Sequence, residues 1–361
     1  MNTLQADRVV LILGAGATLA DGLHKPLKKR PPLDRGFFRS SLKAHAYAMR
    51  PIVQFMAQNY KTDLEDAAND SLERVMAVLY TDTFGGDLEK KAYLALRSLI
   101  RVFLLRLART TNDIGMSKRS NLYRLIVHFL DEGVTPSNLT IVSFNQDIQA
   151  EKSLDAIRST KARKDEIVMR FPGCYRLPRP WRLSSPTTKT PSQFNTSNIA
   201  DQGIALLKLH GSLNWYSRHY TATPQKRTLF DPSRELFVTT RKSIETGLKL
   251  ETTAKKKFTF PLVIPPVVHK SGILHKDLMP VWDLALKRLS EADRVVIFGY
   301  SCPQNDWESA NLICRALNAN SSNKRVSVID PDPEVLLRYI DLGNLANVSY
   351  HASASAYFGE A

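Results

Sequence analysis

The chain has 361 residues, of which 43% are hydrophobic and 24% are charged, and only three are cysteines. This composition is typical of a folded globular protein and excludes collagen-like, fully disordered and disulfide-stapled classes. The formal net charge is +15, and residues 151–260 hold most of the excess, with 21 basic and 9 acidic side chains. Such a positive field favours anionic partners, for example nucleic acid or phosphorylated molecules.

Five buried strands are predicted, each a run of aliphatic and β-branched residues. They cover residues 9–13, 139–143, 204–209, 294–298 and 325–329. Apolar residues three and four positions apart predict helices between about residues 40 and 130, and again at 278–291 and 307–317. This alternation indicates an α/β fold with a Rossmann-like doubly wound parallel sheet. We expect a single domain over residues 1–361, with a helical sub-domain at 40–130 and an irregular basic insertion at 160–260.

The sequence predicts neither a membrane span nor a secretory signal. No apolar run reaches the roughly 18 residues that a spanning helix needs, and the start of the chain, Met1 to Arg8, is polar. Three widely spaced cysteines are typical of a reducing compartment, so we expect a cytoplasmic protein. Neither the cysteines nor the histidines have the spacing of metal ligands, and no metal is predicted.

Small or polar residues directly follow each predicted strand. In an open parallel sheet the carboxyl ends of the strands lie at one edge, and ligands bind there where the strand order reverses. We therefore expect a nucleotide site at this edge, built from all five strand ends. The candidates are Gly14, Ala15, Gly16, Asn145, Asp147, His210, Gly299, Ser301 and Asp330.

Each of these motifs also has a purely structural interpretation. Gly14-Ala15-Gly16 is half of a dinucleotide-binding fingerprint, but the third glycine would fall at Leu19, so a plain tight turn fits equally well. An isolated histidine such as His210 is more often a core residue with satisfied hydrogen bonds. Asn145 and Asp147 are residue types common in turns.

Taken in order, the strand-end residues resemble those of the sirtuin-like NAD-binding domains. The segments that carry the resemblance are Gly14-Ala15-Gly16, Phe144-Asn145-Gln146-Asp147, Lys208-Leu209-His210-Gly211, Gly299-Tyr300-Ser301 and Val328-Ile329-Asp330. They extend over nearly the whole chain, and the ordered combination, which includes KLHGSLNW at 208–215, is fairly specific. In particular, the chain resembles the bacterial branch of NAD hydrolases that act in antiphage defence.

The resemblance implies a role for each candidate. His210 would be the catalytic histidine, Asn145 would lie beside the nicotinamide ribose, and Asp147 would contact the nicotinamide carboxamide. Asp330 would contact the adenine ribose, and Asp34 falls near the family's cofactor-loop motif. Phosphate contacts would come from Gly14, Gly16, Gly299 and Ser301, and Ala15 would be a further cofactor-binding residue.

One departure from the family bears on activity. Sirtuin deacylases carry a four-cysteine zinc module after the catalytic histidine, whereas this chain has no cysteine between Cys174 and Cys302. The favoured prediction is therefore an NAD hydrolase, with NAD as substrate, that acts as a triggered effector of antiviral defence. The alternatives are a zinc-free sirtuin-type deacylase or ADP-ribosyltransferase, and a nucleotide-regulated DNA-binding or interaction module.

A triggered effector needs a partner. We expect a HerA-type ATPase or DNA in that role, with the basic region at 160–260 as the candidate DNA contact. The helical region at 40–130 is a candidate interface for a homo-oligomer.

Overall fold

The computed structural model describes residues 7–23, 36–64, 71–84, 88–114, 120–160, 173–177, 181–183, 192–194, 203–217, 236–238, 261–264, 278–303, 306–319, 324–343, 345 and 347–360. The strands are β1 (Val9–Leu13), β2 (Leu139–Ser143), β3 (Trp181–Leu183), β4 (Ser192–Phe194), β5 (Ala205–Lys208), β6 (Gly211–Ser217), β7 (Leu236–Val238), β8 (Pro261–Val263), β9 (Arg294–Phe298), β10 (Arg325–Ile329) and β11 (Val348–His351). The helices are α1 (Ala15–Gly22), α2 (Phe37–Tyr60), α3 (Leu72–Thr81), α4 (Glu89–Ile114), α5 (Asn121–Asp131), α6 (Gln149–Arg158), α7 (Met279–Ser290), α8 (Trp307–Asn318), α9 (Glu334–Gly343) and α10 (Ala354–Tyr357).

Six strands form the main sheet, in the order β11-β10-β9-β1-β2-β5, and all neighbouring pairs are parallel. Counted along the chain and read from β5, this is the order 3-2-1-4-5-6 of Rossmann folds. The central strand β1 is buried along its whole length, as expected for the sequence Val-Val-Leu-Ile-Leu. The predicted α/β class with a doubly wound parallel sheet is confirmed, and the strand order reverses between β1 and β9.

The register of the main sheet aligns the carboxyl ends of its strands. Leu13, the last residue of β1, pairs with Ser143 on one side and with Phe298 on the other. Ser143 in turn pairs with Lys208, and Phe298 pairs with Ile329. The residues that follow these strands therefore begin at one level along one edge of the sheet.

Helices α2 to α5 occupy the segment for which the sequence predicts a helical sub-domain. Arg106 of α4 connects two of them, because its guanidinium donates to Phe37 O at 3.4 Å and to Ser41 Oγ at 2.9 Å at the start of α2. Helices α3 and α5 each begin after a serine, Ser71 and Ser120, whose hydroxyl accepts from a backbone N–H three residues later. Within the described ranges, no helix is both long enough and apolar enough to cross a membrane.

A second sheet has the order β4-β3-β7-β6-β8, and its strands all lie between β2 and β9 in the chain. Strands β3, β4 and β7 fall in the segment predicted as an irregular insertion. Each has only three residues, too few to produce a detectable apolar alternation. The chain passes from β5 to β6 through Leu209 and His210, and Gly211 takes the positive φ of 75° that this change of direction requires.

Candidate functional site

The turn after β1 packs directly against the turn after β9. A Cβ on Gly14 would collide with Gly299 O and with the backbone of Tyr300, and a Cβ on Gly16 would lie 2.8 Å from Gly299 Cα. Gly16 N donates to Gly299 O at 2.9 Å, and Gly299 has a φ of +60°. Backbone packing therefore requires glycine at these positions, at the point where the strand order reverses.

Helix α1 starts inside this turn, with Gly14 as its N-cap and the exposed Ala15 as its first residue. Its first turn contains no acidic side chain. The N-terminus of a helix carries a partial positive charge, which favours a phosphate group. The turn after β1 therefore presents a partial positive charge that no acidic side chain of this first turn neutralises.

Asn145 connects the loop after β2 to α1. Its Nδ2 donates to Gly14 O at 2.7 Å and to Thr18 Oγ1 at 3.2 Å, and the side chain is buried. Thr18 passes the chain of hydrogen bonds on, because its Oγ1 donates to Asp147 Oδ2 at 2.7 Å. Both hydrogens of the Asn145 amide are thus engaged, and Oδ1 is the atom with which Asn145 can accept a hydrogen bond from a ligand.

Asp147 is buried and all three of its oxygens accept hydrogen bonds from the protein. Besides Thr18, the backbone N of Gln149 donates to Oδ1 at 3.0 Å, and Lys208 Nζ donates to the Asp147 carbonyl. These contacts hold the loop after β2 against α1, β5 and the start of α6. Asp147 therefore fixes the position of Asn145, whatever else it contacts.

A cavity with room for about one water molecule lies between α1 and this loop. Thr18, Asp21, Asn145 and Asp147 contribute to its lining. Among the described residues of the predicted site, Asn145 and Asp147 line this cavity, whereas His210 lies outside it.

Asp21 joins the cavity to the helical region, since its Oδ1 accepts from Asn121 N at 2.6 Å at the start of α5. Burial raises the pKa of the Asp21 carboxyl from 3.8 to about 6, and the nearby Asp147 adds to the rise. Because the pKa is higher in the folded state, the folded protein binds more protons than the unfolded chain between about pH 4 and pH 6. The contribution of Asp21 to stability therefore decreases as the pH rises through that range.

We expect Asp21→Asn to stabilise the protein above about pH 7 by roughly 2–3 kcal/mol, the equivalent of the pKa shift. The amide oxygen can still accept from Asn121 N, and the cost of burying a charge disappears. Thermal unfolding of the variant and the wild type across the pH range checks this. The advantage of the variant should vanish near pH 4, and a pH-independent difference would contradict the assignment.

His210 belongs to a second buried cluster. Its Nε2 lies 3.4 Å from Ser309 Oγ and 3.6 Å from Asp306 Oδ2, both at the start of α8. Its carbonyl accepts from Ile264 N at 2.9 Å. The imidazole is therefore held between the turn after β5 and the first turn of α8.

Phe144 links the two clusters. It precedes Asn145 in the chain, and its ring meets the His210 imidazole edge-on, with centroids 5.3 Å apart. The same Phe144 ring also stacks on the Tyr300 ring, with centroids 4.1 Å apart and an angle of 9° between the planes. An aromatic row thus crosses the strand ends from β5 over β2 to β9.

A third group of buried polar residues lies between the end of β5 and α6, next to the loop after β2. Lys208, fully buried at the end of β5, lies 3.6 Å from Glu151 Oε1 of α6. Tyr175 OH donates to the same oxygen at 2.8 Å, and Asn214 Nδ2 donates to Tyr175 OH at 2.9 Å. Burial raises the pKa of Glu151, and the positive charge of Lys208 opposes that rise.

The remaining candidates lie along the same edge or outside the described residues. Ser301 accepts at its carbonyl from Arg338 Nη1 at 3.1 Å. Asp330 follows β10, its Oδ1 accepts from Asp332 N at 3.0 Å, and burial raises the pKa of its carboxyl. Asp34 lies outside the described residues.

Sequence reasoning missed several residues that the structure brings to the site, namely Thr18, Glu151, Lys208, Asp306 and Ser309. Two signals were available. A lysine at the end of a buried strand, between leucines, requires a buried partner. An aspartate directly before an amphipathic helix is typical of an N-cap.

Three comparisons with known proteins give a match only among solved structures. No family model matches the sequence, and no curated protein is similar enough to match it. The solved structure of Sir2Tm bound to a propionylated peptide is 10% identical, with a TM-score of 0.43, over 98% of this chain and 91% of that chain. A structure on the mechanism and regulation of Sir2 enzymes is 10% identical, with a TM-score of 0.34, over 76% of this chain and 97% of that chain. Both scores are below 0.5, so the fold class rests on the strand order of the main sheet.

Proposed function

We propose that the chain binds NAD at the carboxyl edge of the main sheet and hydrolyses its nicotinamide–ribose bond. The observation that carries this proposal is the contact of Asn145 with Gly14, which packs against Gly299 where the order of the 3-2-1-4-5-6 sheet reverses. Phe144 connects this point to His210, which follows the outer strand β5. Folds with this order bind dinucleotides at that point. The ordered motifs that resemble sirtuin-like domains support the same substrate.

The proposed reaction breaks the bond between the ribose carbon C1′ and the pyridinium nitrogen of nicotinamide. The bonding electron pair goes to that nitrogen, so nicotinamide leaves as a neutral molecule while C1′ gains oxocarbenium character. A water oxygen then bonds to C1′, and the proton that the water loses passes to a base and on to solvent. The products are nicotinamide, ADP-ribose and one proton.

His210 is the proposed base, acting on the water or on a ribose hydroxyl. Asn145 would accept a hydrogen bond through Oδ1 and so orient the water beside the nicotinamide ribose. Asp147 would contact the carboxamide, and Asp330 the adenine ribose. The phosphates would lie at Gly14, Ala15, Gly16, Gly299 and Ser301, where α1 begins. Asp34 is proposed as a further cofactor contact from its sequence position alone.

Hydrolysis is favoured over deacylation because the whole chain contains three cysteines and cannot form a four-cysteine zinc module. A zinc-free deacylase or ADP-ribosyltransferase remains the competing proposal.

A hydrolase of this kind would deplete the NAD of its own cell, so we propose that it works in the cytoplasm as a triggered effector of antiviral defence. The charge of residues 151–260 supports an anionic trigger such as DNA. A HerA-type ATPase is the proposed protein partner, and a homo-oligomer the proposed form.

The test is incubation of the purified protein with NAD, alone, with DNA, and with a candidate ATPase, while released nicotinamide is measured. Free ADP-ribose as the second product supports the proposal. Acyl-linked or protein-linked ADP-ribose, seen when acylated peptide or acceptor protein is added, would instead favour the deacylase or transferase. If NAD stays intact in every mixture, the proposal is wrong.

A further inference from the structure

The imidazole of His210 faces a carboxylate that lies far from it in the chain. His210 Nε2 is 3.6 Å from Asp306 Oδ2, and the two side chains are 6% and 2% exposed. We propose that Asp306 is a positioning residue that orients His210 and keeps a proton on its Nε2. This inference rests on the proposed function, because it assigns Asp306 to the same reaction.

Asp306 is itself fixed from two directions. Its Oδ1 accepts from Ser309 N at 3.4 Å, as the N-cap of α8. Its Oδ2 accepts from Tyr300 OH at 3.0 Å. Burial, together with the negative charge of Asp306, raises the pKa of Tyr300 well above its ordinary value, so the phenol stays protonated and remains a donor. The carboxylate therefore has one fixed orientation, with Oδ2 turned towards His210.

A carboxylate in this position has two effects on the imidazole. It favours the tautomer with hydrogen on Nε2, because that N–H can be directed at Oδ2. With hydrogen on Nε2, Nδ1 is the ring nitrogen that can take a proton. The carboxylate also stabilises the imidazolium that then forms, and this stabilisation is strong where water is excluded. At 3.4 to 3.6 Å these contacts are longer than ordinary hydrogen bonds, so at this distance Asp306 acts on the imidazole mainly through its charge.

Ser309 contributes a neutral group beside the charged one. Its Oγ lies 3.4 Å from the same nitrogen. A hydroxyl can donate or accept, so it does not select a tautomer, whereas an ionised carboxylate only accepts. Of these two groups, only Asp306 favours one protonated nitrogen over the other.

The decisive variant is Asp306→Asn. Asparagine is as good an N-cap as aspartate, so Ser309 N keeps its acceptor and α8 keeps its start. The charge that faces Nε2 is lost. We expect kcat for NAD cleavage to fall about 10²-fold or more, as when an oriented catalytic histidine loses its carboxylate partner, while KM changes less than about twofold.

The matched control is Asp293→Asn, the same substitution at the amino end of β9, where the carboxylate accepts from Arg8 N at 2.8 Å. Asp293 lies at the opposite edge of the sheet from His210, and we expect kcat to stay within about twofold of the wild type. NMR spectra of the protein labelled with nitrogen-15 histidine give a second measurement, with the His210 signals assigned from a His210→Gln variant. We expect the ring signals of His210 to shift in Asp306→Asn and to stay unchanged in Asp293→Asn.

The outcomes separate the two proposals. If the wild type cleaves NAD and Asp306→Asn does so at the same kcat, the role of Asp306 is wrong and the proposed function stands. If the wild type does not cleave NAD, the proposed function fails, and the NMR measurement alone decides on the pair. Unchanged His210 signals in Asp306→Asn overturn the pairing in either case.

Discussion

His210→Ala is expected to lower the rate of NAD cleavage by about 10²–10⁴-fold, the usual contribution of a general base. The imidazole is the proposed proton acceptor, and alanine can neither accept the proton nor contact Asp306 and Ser309. Nicotinamide release, measured under the conditions in which the wild type is active, gives the rate. Circular dichroism and thermal unfolding show whether the fold is kept.

His128→Ala is the matched control, because His128 lies in the last turn of α5, which leads to the amino end of β2. It should retain the activity of the wild type.

Asn145→Ala is expected to lose activity to a similar extent as His210→Ala, since it removes both Oδ1 and the hydrogen bond to Gly14 O. Wild-type turnover in both site variants would rule out the proposed mechanism.

Lys208→Met is expected to cost about 3–5 kcal/mol of unfolding free energy, as typically found when one member of a buried ion pair is removed. Lys208 is fully buried and lies 3.6 Å from Glu151 Oε1, while Glu151 is also buried. Methionine fills the space of the lysine stem but leaves the glutamate without its positive neighbour. It also removes the donor to the Asp147 carbonyl, and hence one of the contacts that hold Asn145 in place.

The double variant Glu151→Gln with Lys208→Met isolates the charge pair. Glutamine still accepts from Tyr175 OH, and no buried charge remains at the two positions. Urea unfolding of both single variants and the double variant forms a cycle, in which we expect a coupling of about 1–3 kcal/mol. Strictly additive losses would mean that the two side chains act independently, and the description of a charge pair would then be wrong.

The fold was predictable where the sequence repeats a simple physical pattern. The main-sheet strands β1, β2, β5, β9 and β10 are rich in aliphatic residues, and the turns after them are marked by glycine or polar residues. The class follows from the central strands, which are buried on both faces. The last strand, β11, was not predicted. Its sequence Val-Ser-Tyr-His is only partly buried at the edge of the sheet and has no apolar run.

The site was predictable only in part, because several of its contacts join residues far apart in the chain. Asn145 and His210 stand out since each directly follows a strand end. The approach of Asp306 to His210, 96 positions earlier in the chain, depends on how α8 lies over the sheet edge, and local patterns carry no information about that. The stacking of Phe144 on Tyr300 depends on the same packing.

The close contact between the turns after β1 and β9 also limits how this protein can move. No methyl group fits between Gly14 and Gly299, so the two turns have no room to approach each other further. The groups that can adapt to a ligand at this edge are then side chains above the two turns, such as the stacked rings of Phe144 and Tyr300. A ligand that binds at this edge would therefore face tightly packed backbone at the glycines, and adjustment to its shape would fall to the side chains.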